Sequence, residues 1–283
     1  LIIPSNYKIK VQPGFELDIK NNAYLFSNST IDAIGTKEEP IKFYSSDSSG
    51  GGIFINKTLR ESELRFCTFS NLSNPITELW ELSGAVNFHE ADVTIANCVF
   101  EKNRCEDGLN IIRSSFTMTN SMFRETKSDA FDGDFVVGTI TDTTFNNAGN
   151  DGIDISGSRL TLKNITINNP SDKAISAGEA SEINGETIFI TGGEIGIVRK
   201  DLSAVTLDGV SIKDTQLAFS AFQKKTEFGT GNIAVTNLVL ANNQTEFLIE
   251  QGSRMTVDGN ATETVSNKVI DQMYGNEYGK SSK

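Results

Sequence analysis

Aspartate recurs at a fixed interval in the middle of the chain, and carboxyl groups repeated in this way can do acid–base chemistry. Asp129 and Asp151 are 22 residues apart, and Asp132 and Asp154 repeat that interval. A glycosidase needs two carboxyl groups about 5–5.5 Å apart for retention of the anomeric configuration, or about 6.5–9.5 Å apart for inversion. If the interval is one structural repeat, Asp132 with Asp154, or a diagonal pair with Asp129 or Asp134, would meet this requirement.

A polysaccharide lyase or epimerase would need other groups, and basic side chains flank these aspartates. Such an enzyme takes a proton from the carbon next to a uronate carboxyl group, which requires a base and a group that neutralises the carboxylate. Calcium prefers oxygen ligands, and a calcium ion held by Asp129, Asp151 and Asp154 could provide the neutralising charge. The candidate bases are His89, Lys173, Arg199 and Lys200.

A repeating polar surface can also bind a glycan without catalysis. Aspartates at turns commonly cap backbone groups, which is the alternative role for Asp107, Asp129 and Asp151. Asp132 and Asp154 fall within strand-like segments, where aspartate is depleted, and this favours a functional role. A solvated surface role is the alternative for His89 and Lys224. The predicted glycan contacts are Asn110, Asp134, Ser176, Arg199, His89 and Lys224.

The overall charge narrows the range of partners. The chain has 25 Lys and Arg and 37 Asp and Glu, which gives a formal net charge of -12. Because phosphate contacts need a basic face, this charge disfavours a nucleic-acid partner and an anionic membrane surface. No apolar run approaches the roughly 18 residues that would span a membrane. One histidine and three cysteines exclude a His-rich zinc site and argue against a disulfide framework.

Two sets of markers recur with a period near 22 residues, and they indicate the elements that would position these side chains. In the first set, an Asn, Asp or Gly interrupts a segment of alternating apolar and polar residues, as in VTIANCVFEKN (93–103). In the second set, a small residue opens a segment such as GAVNFHE or DGIDISG. The first set is Asn97, Asn120, Asp142, Asn164, Gly209 and Asn237. The second set is Ala85, Gly108, Ala130, Gly152, Ala174, Gly196 and Ala218.

This pattern predicts an all-β chain, a single-stranded right-handed parallel β-helix with coils of roughly 22 residues. Alternation with a period of two, in segments rich in β-branched residues and Phe, is typical of strands. Successive coils stack about 4.8 Å apart, so equivalent residues form ladders. The predicted inner ladder is Phe69, Phe100, Phe123, Phe145, Ile167, Ile212 and Leu240. The predicted outer acidic patch is Asp107, Asp129, Asp132, Asp134, Asp151 and Asp154.

Several stretches resemble known families. STIDAIGTKEEPIKFYSS (29–46) followed by GGGIFI (50–55) resembles the first coils of bacterial right-handed parallel β-helix domains of the pectate-lyase-like superfamily. SDAFDGDF (128–135), NDGIDISGS (150–158), DKAISAGE (172–179), IVRKD (197–201) and QKKTEFG (223–229) resemble extracellular bacterial β-helix domains associated with spore-coat-H-like (CotH) kinase proteins. The first resemblance covers nearly the whole chain and implies the fold. The second implies an extracellular or cell-surface location and carries no secure activity.

We expect one domain, residues 1–283, whose first coil or N-terminal cap is residues 1–20. Two loops are expected to project from the stack, residues 74–83, which carry the single tryptophan, and residues 219–232. The polar tail, residues 276–283, is expected to fray. The predicted function is an extracellular β-helix that binds or acts on a polysaccharide as a lyase, epimerase or hydrolase. The alternative is a structural, adhesin or glycan-binding module that accompanies a surface protein.

Overall fold

The chain is a parallel β-helix of about 11 turns with about 23 residues in each coil. This computed structural model describes residues 1–265, 268–275 and 278. The predicted fold is confirmed. Most of the expected fraying tail lies outside the described residues, and the expectation of a single domain remains a prediction.

The described residues form 28 strands and one short helix. The strands of the first half are β1 (Ile2–Ile3), β2 (Lys8–Val11), β3 (Glu16–Asp18), β4 (Leu25–Ser27), β5 (Thr30–Ile34), β6 (Ile41–Tyr44), β7 (Ile53–Asn56), β8 (Ser62–Arg65), β9 (Cys67–Ser70), β10 (Gly84–His89), β11 (Val93–Ala96), β12 (Val99–Glu101), β13 (Asp107–Ile112), β14 (Ser115–Thr119) and β15 (Met122–Arg124). The second half contains β16 (Asp129–Asp134), β17 (Val137–Asn146), β18 (Ile153–Ser156), β19 (Arg159–Asn168), β20 (Lys173–Gly178), β21 (Glu182–Thr191), β22 (Ile195–Lys200), β23 (Ala204–Lys213), β24 (Leu217–Phe222), β25 (Asn232–Ala241), β26 (Thr245–Ile249), β27 (Arg254–Val257), β28 (Asn260–Ala261) and α1 (Val269–Met273).

The coils build two sheets. Sheet A has 11 strands in the order β1-β4-β7-β10-β13-β16-β18-β20-β22-β24-β26, and all of its pairings are parallel. The other 17 strands form sheet B, which is folded along the axis of the β-helix into two faces. A single strand of 10 residues, such as β17, β19 or β23, continues through this fold and contributes to both faces.

The first sequence marker is the residue at which sheet B bends. Its six members have φ between 47° and 68°, a left-handed conformation that Asn, Asp and Gly tolerate better than other residues. The side chains also bond along the axis of the helix, as where Asn164 Nδ2 donates to Asp142 Oδ1 over 2.6 Å. The regular interval in the sequence is therefore the interval between bends.

The second marker and the apolar ladder form the interior. The phenylalanines of the inner ladder stack coil on coil, and their ring centroids are 5.0 Å apart for Phe69 and Phe100, 4.6 Å for Phe100 and Phe123, and 4.9 Å for Phe123 and Phe145. Ile167 and Ile212 are buried further along, and Leu240 is partly buried. Stacking at this distance maximises contact between apolar surfaces in a narrow core. The three cysteines are buried and free.

Segments outside the repeat cover sheet A at both ends. Trp80, in the loop 74–83, packs against Tyr24, Phe26 and Phe54, with ring centroids 5.7 to 6.4 Å apart. At the other end, α1 packs its buried Val269 and Met273 in one apolar cluster with side chains of β22 and β24. The middle coils of sheet A lie between these covers. The second projecting loop is shorter than predicted, residues 223–231, because β24 continues to Phe222.

Candidate functional site

One ladder of polar residues runs along the outer side of sheet A between the two covered ends. Register pairs place its members on successive coils, and adjacent parallel strands are about 4.8 Å apart. The ladder lies deep, because Asn110 and Ser176 are only 1% and 0% exposed. In order along the axis, the ladder is Asn87, Asn110, Asp132, Asp154 and Ser176.

Asp132 is held by its neighbour on the preceding coil. Asn110 Nδ2 donates a hydrogen bond of 2.8 Å to Asp132 Oδ2. Asn110 Oδ1 lies 3.1 Å from His89 Nε2, and because an amide oxygen only accepts, the imidazole donates here from Nε2. Burial lowers the pKa of His89, which favours the neutral form of the ring. Asn110 is therefore fixed from both sides and orients the carboxyl group of Asp132.

Asp132 is a neutral acid at neutral pH. Burial, followed by the charges of Asp107, Asp134 and Asp154, raises its pKa to about 9. A buried carboxylate surrounded by like charges is disfavoured, so the group keeps its proton. Because Oδ2 accepts from Asn110, the proton belongs on Oδ1. Asp132 thus has the charge state of a general acid.

Asp154, directly beside Asp132 in register, has no partner among the described residues. Its Oδ1 is buried and makes no hydrogen bond. No other hydrogen bond or ion pair to a described residue involves this side chain. Ser176 Oγ, the next position of the ladder, is likewise buried and unpaired. Since buried polar groups are normally hydrogen-bonded, such groups in the centre of a ladder are typical of a binding or reaction site.

The aspartates at the start of the sheet A strands hold the coils together. Asp129 Oδ1 accepts a hydrogen bond of 2.8 Å from the backbone N–H of Asp151. Asp151 Oδ1 accepts one of 3.0 Å from the backbone N–H of Lys173. Burial raises the pKa of Asp107 to about 7, of Asp129 to about 6 and of Asp151 to about 7. These three residues therefore bond or pack between coils and surround Asp132 with acidic groups.

Asp134 lies at the far end of β16 and is half-buried. Burial raises its pKa, and the nearby Glu179 and Asp154 add to the rise, whereas Arg113 and Lys225 oppose it. Lys225 forms an ion pair with Glu179.

We call the six aspartates on the outer side of sheet A the acidic face. Its members are Asp107, Asp129, Asp132, Asp134, Asp151 and Asp154.

The basic residues predicted as catalytic bases do not form one cluster on the acidic face. Lys173 is buried and ion-paired with Asp151 at 3.5 Å and with Asp172, and these charges raise its pKa against the effect of burial. It is therefore a permanently charged structural residue. His89 and Lys200 lie on β10 and β22, five coil steps apart, which is about 24 Å.

Arg199 does not reach the site, and its predicted role in substrate binding is wrong. The residue is 0% exposed, and its Nε donates to Ser203 O over 2.8 Å. It pairs in register with Ala177 and Ala221, which point into the core. The alternation of the strand explains this, because a residue one position from Lys200 faces the opposite side of the sheet.

Lys200 and Lys224 lie at the end of the acidic face covered by α1. Lys200 is 8% exposed, and its Cε lies 3.5 Å from where a Cβ on Gly178 would stand. The missing side chain at Gly178 leaves room for this lysine to lie along the outer side of the sheet. Lys200 forms no ion pair with a described residue. Lys224 places its Nζ 5.0 Å from the ring centroid of Tyr274, so it contacts the covering segment.

Residues 1–265, 268–275 and 278 contain no group of three or more His, Cys, Asp or Glu side chains arranged to hold a metal ion. Asp129 and Asp151 each use one carboxylate oxygen for a backbone bond. Calcium at Asp129, Asp151 and Asp154 stays a prediction.

No helix in the described part of the chain has the length and apolar character needed to cross a membrane.

Two residues beside the acidic face were not predicted as site residues. Arg113 and Phe135 are exposed at the turn that follows sheet A, and the Arg113 Cζ lies 5.0 Å from the centroid of the Phe135 ring. One signal was available in the sequence, because a Phe at 135 follows the acidic segment where Gly157 follows the next one. Neither residue repeats along the ladder, so the period did not reveal them.

Three solved structures with some likeness to this chain are polysaccharide-active proteins of low sequence identity. The catalytic domain of GH87 alpha-1,3-glucanase in complex with nigerose has 13% identity and a TM-score of 0.48, with 89% of this chain and 64% of that chain covered. Alginate lyase from Paenibacillus sp. str. FPU-7 has 11% identity and a TM-score of 0.38, with 87% and 89% covered. The Azotobacter vinelandii mannuronan C-5 epimerase A-module has 12% identity and a TM-score of 0.34, with 91% and 90% covered.

These likenesses carry no argument about function, because both the identities and the TM-scores are low. The chain also spans only 64% of the length of the glucanase chain. No protein-family model matches the chain, and no curated protein matches it. The acidic face itself is therefore the feature of this chain that bears on its function.

Proposed function

We propose that the chain hydrolyses glycosidic bonds in a neutral polysaccharide, with Asp132 as the general acid and Asp154 as the nucleophile or general base. One observation carries the proposal. A carboxyl group kept neutral by burial and held by Asn110 stands directly beside a second carboxyl group, that of Asp154, which has no hydrogen-bond or ion-pair partner among the described residues. Acid-assisted glycoside cleavage requires two adjacent carboxyl groups, one that donates a proton and one that attacks the anomeric carbon or activates a water.

Asp132 would protonate the oxygen of the leaving sugar. Its Oδ2 is occupied by the amide of Asn110, so the acidic proton on Oδ1 is free to point at a ligand. The chain His89, Asn110, Asp132 fixes the plane of the carboxyl group. This positioning reduces the reorganisation needed when the proton moves.

Asp154 would act on the anomeric carbon. In direct attack its carboxylate would form a glycosyl ester, which water then hydrolyses while Asp132 takes back a proton. Register partners are about 4.8 Å apart at the backbone, close to the carboxyl separation of retaining enzymes. The diagonal from Asp154 to Asp134 is longer and would suit inversion through an activated water. The anomer formed first, followed by NMR, distinguishes these two routes.

The charge of the site favours a neutral glycan over a uronate chain. Six aspartates make up the acidic face. Within the described residues, Lys173 is the basic residue that forms an ion pair with one of them, Asp151. Above about pH 7, Asp107, Asp129 and Asp151 become ionised, and their charges would repel an anionic polymer. The bases that a lyase would use are far apart or committed to ion pairs, so the site lacks the cationic cluster that would neutralise a uronate.

A second candidate function is glycan binding without turnover. It is favoured by the structural use of Asp129 and Asp151, which bond to the backbone of the next coil. In that case the ladder would present hydrogen-bonding groups at a regular spacing, and the chain would serve as a binding or adhesin module. An extracellular location, calcium and an association with CotH kinase proteins stay predictions in both cases.

The two functions are separated by a panel of neutral and uronate polysaccharides, tested for new reducing ends and for unsaturated products, with and without EDTA. The proposal expects new reducing ends from a neutral glycan and no unsaturated product. Asp132→Asn should abolish release and leave binding intact. Binding without release in the wild type would identify a binding module, unsaturated product would identify a lyase, and loss of activity in EDTA would support the calcium prediction.

A further inference from the structure

The turn that follows sheet A forms one long edge of the acidic face. On each coil this turn is made by a residue in the left-handed conformation. The edge carries charged residues on most coils, with one aromatic residue among them. Along the axis, the edge is Glu90, Arg113, Phe135, Gly157, Glu179 and Asp201, with φ between 48° and 61°.

Phe135 is presented to solvent on this edge although its ring is apolar. The residue is 52% exposed and follows Asp134 of the acidic face directly. Arg113, on the preceding coil, places its guanidinium over the ring with Cζ 5.0 Å from the centroid. No hydrogen bond or ion pair between Arg113 and a described residue uses that guanidinium, so its N–H donors remain available.

Gly157, on the next coil, leaves the space that the Phe135 ring occupies. A Cβ on Gly157 would stand 2.7 Å from Phe135 Cδ1 and 2.8 Å from Cε1, closer than van der Waals contact allows. Positive φ does not explain the glycine, because Glu90, Arg113 and Glu179 adopt the same turn conformation with side chains. The ring edge therefore rests against the next coil, which fixes the orientation of an exposed aromatic group.

We propose that Phe135 and Arg113 form a platform that binds a sugar ring of a neutral glycan beside the acidic face. The C–H groups of a pyranose would pack on the aromatic ring, and its hydroxyl groups would accept hydrogen bonds from the guanidinium. Phe135 stands three residues after Asp132, in the turn that follows β16, within about 10 Å of it. The platform would hold a sugar that is not at the bond being cleaved. This inference rests on the proposed function, because it extends the same site.

The test measures binding of neutral glucan hexasaccharides, with α-1,3, α-1,4, β-1,3 and β-1,4 linkages, by isothermal titration calorimetry. Reducing-end release from the same sugars is measured in parallel. Phe135→Ala should raise Kd of the best hexasaccharide about tenfold, with an unchanged melting temperature. Phe135→Trp should keep the wild-type affinity, since stacking is retained.

Gly157→Ala tests whether the space left by Gly157 positions the Phe135 ring, without altering the ring itself. Its Cβ would displace Phe135, so its Kd should rise as in Phe135→Ala. Gly209→Ala is the matched control, because Gly209 also has positive φ, at 68°, but its nearest neighbour would be 3.8 Å from the new Cβ. It should bind like the wild type. A loss of glycan affinity in Gly209→Ala equal to that in Gly157→Ala would contradict the role of Gly157 in positioning the Phe135 ring.

The platform is refuted if no hexasaccharide binds the wild type, if Phe135→Ala binds like the wild type, or if Phe135→Trp loses as much affinity as Phe135→Ala. Cleavage by the wild type that Phe135→Ala leaves unchanged in KM would refute the platform and leave the hydrolase standing. Binding that is weakened in Phe135→Ala, without cleavage by any variant, would uphold the platform and refute the hydrolase.

Discussion

Replacing Asp132 by Asn should stabilise the protein more as the pH rises. The pKa of Asp132 is about 9 in the folded chain, against about 3.9 for an unperturbed aspartate. The folded state thus binds the proton more tightly than the unfolded state, so wild-type stability falls as the pH rises from about 4 towards about 9. Asparagine resembles the protonated acid in shape and can still accept the hydrogen bond of Asn110, but it has no proton to lose.

The size of the effect follows from proton linkage. Each pH unit within this window changes the free energy of unfolding by about 1.4 kcal/mol for one proton. The advantage of Asp132→Asn over the wild type should therefore be small at pH 4 and grow with that slope. It would reach about 4 kcal/mol at pH 7, as an upper value, because water entering the site reduces the effect of burial.

Urea unfolding at pH 5, 6, 7 and 8 measures the difference between variant and wild type. Asp142→Asn is the matched control, since Asp142 is exposed and Asn120 and Asn164 occupy the same bend on the neighbouring coils. The control measures the pH dependence that replacing an exposed Asp by Asn produces by itself. A difference between Asp132→Asn and the wild type that is independent of pH would refute the claim that Asp132 is a neutral acid.

Three further predictions concern the core, the ion pair and the positioning of the acid. Phe100→Ala should lower the free energy of unfolding by about 3–5 kcal/mol in urea, because it leaves a cavity in the inner ladder; a loss below about 1 kcal/mol would contradict the stacked core. Lys173→Met should cost about 3–5 kcal/mol at pH 8 by leaving the Asp151 carboxylate unpaired, and the loss should shrink below pH 6 as that group takes up a proton; an equal loss at both pH values would argue against the ion pair. Asn110→Ala should lower kcat at least tenfold on any glycan that the wild type cleaves, and an unchanged kcat would show that Asp132 needs no positioning by the amide.

The fold could be predicted from the sequence because a β-helix repeats its local physics on every coil. Asn97, Asn120 and Asn164 recur where a left-handed bend is needed, and Phe100 and Phe123 recur where one ring stacks on the next. The parts that do not repeat were harder to predict. Nothing in the period indicates that α1 folds back over sheet A, and its contacts are with side chains distant in sequence.

The candidate site was predictable only where it follows the repeat. The interval of 22 residues placed Asp132 beside Asp154, which are register partners. It did not reveal that Asp151 is buried and bonds to the next coil, because burial depends on packing around the whole face. Arg199 was wrongly assigned by its charge, although the alternation of its strand points inward. Phe135 was missed because it occurs on one coil only.

The catalytic roles of Asp132 and Asp154 are best tested by glycan cleavage in the wild type, Asp132→Asn, Asp154→Asn and Asp142→Asn, assayed side by side on the neutral polysaccharide that the panel identifies. We expect Asp132→Asn and Asp154→Asn each to lose at least 100-fold in reducing-end release while binding the glycan as the wild type does. Asp142→Asn should retain full activity. Wild-type rates in Asp132→Asn or Asp154→Asn, or no cleavage by the wild type of any neutral glycan, would contradict these roles.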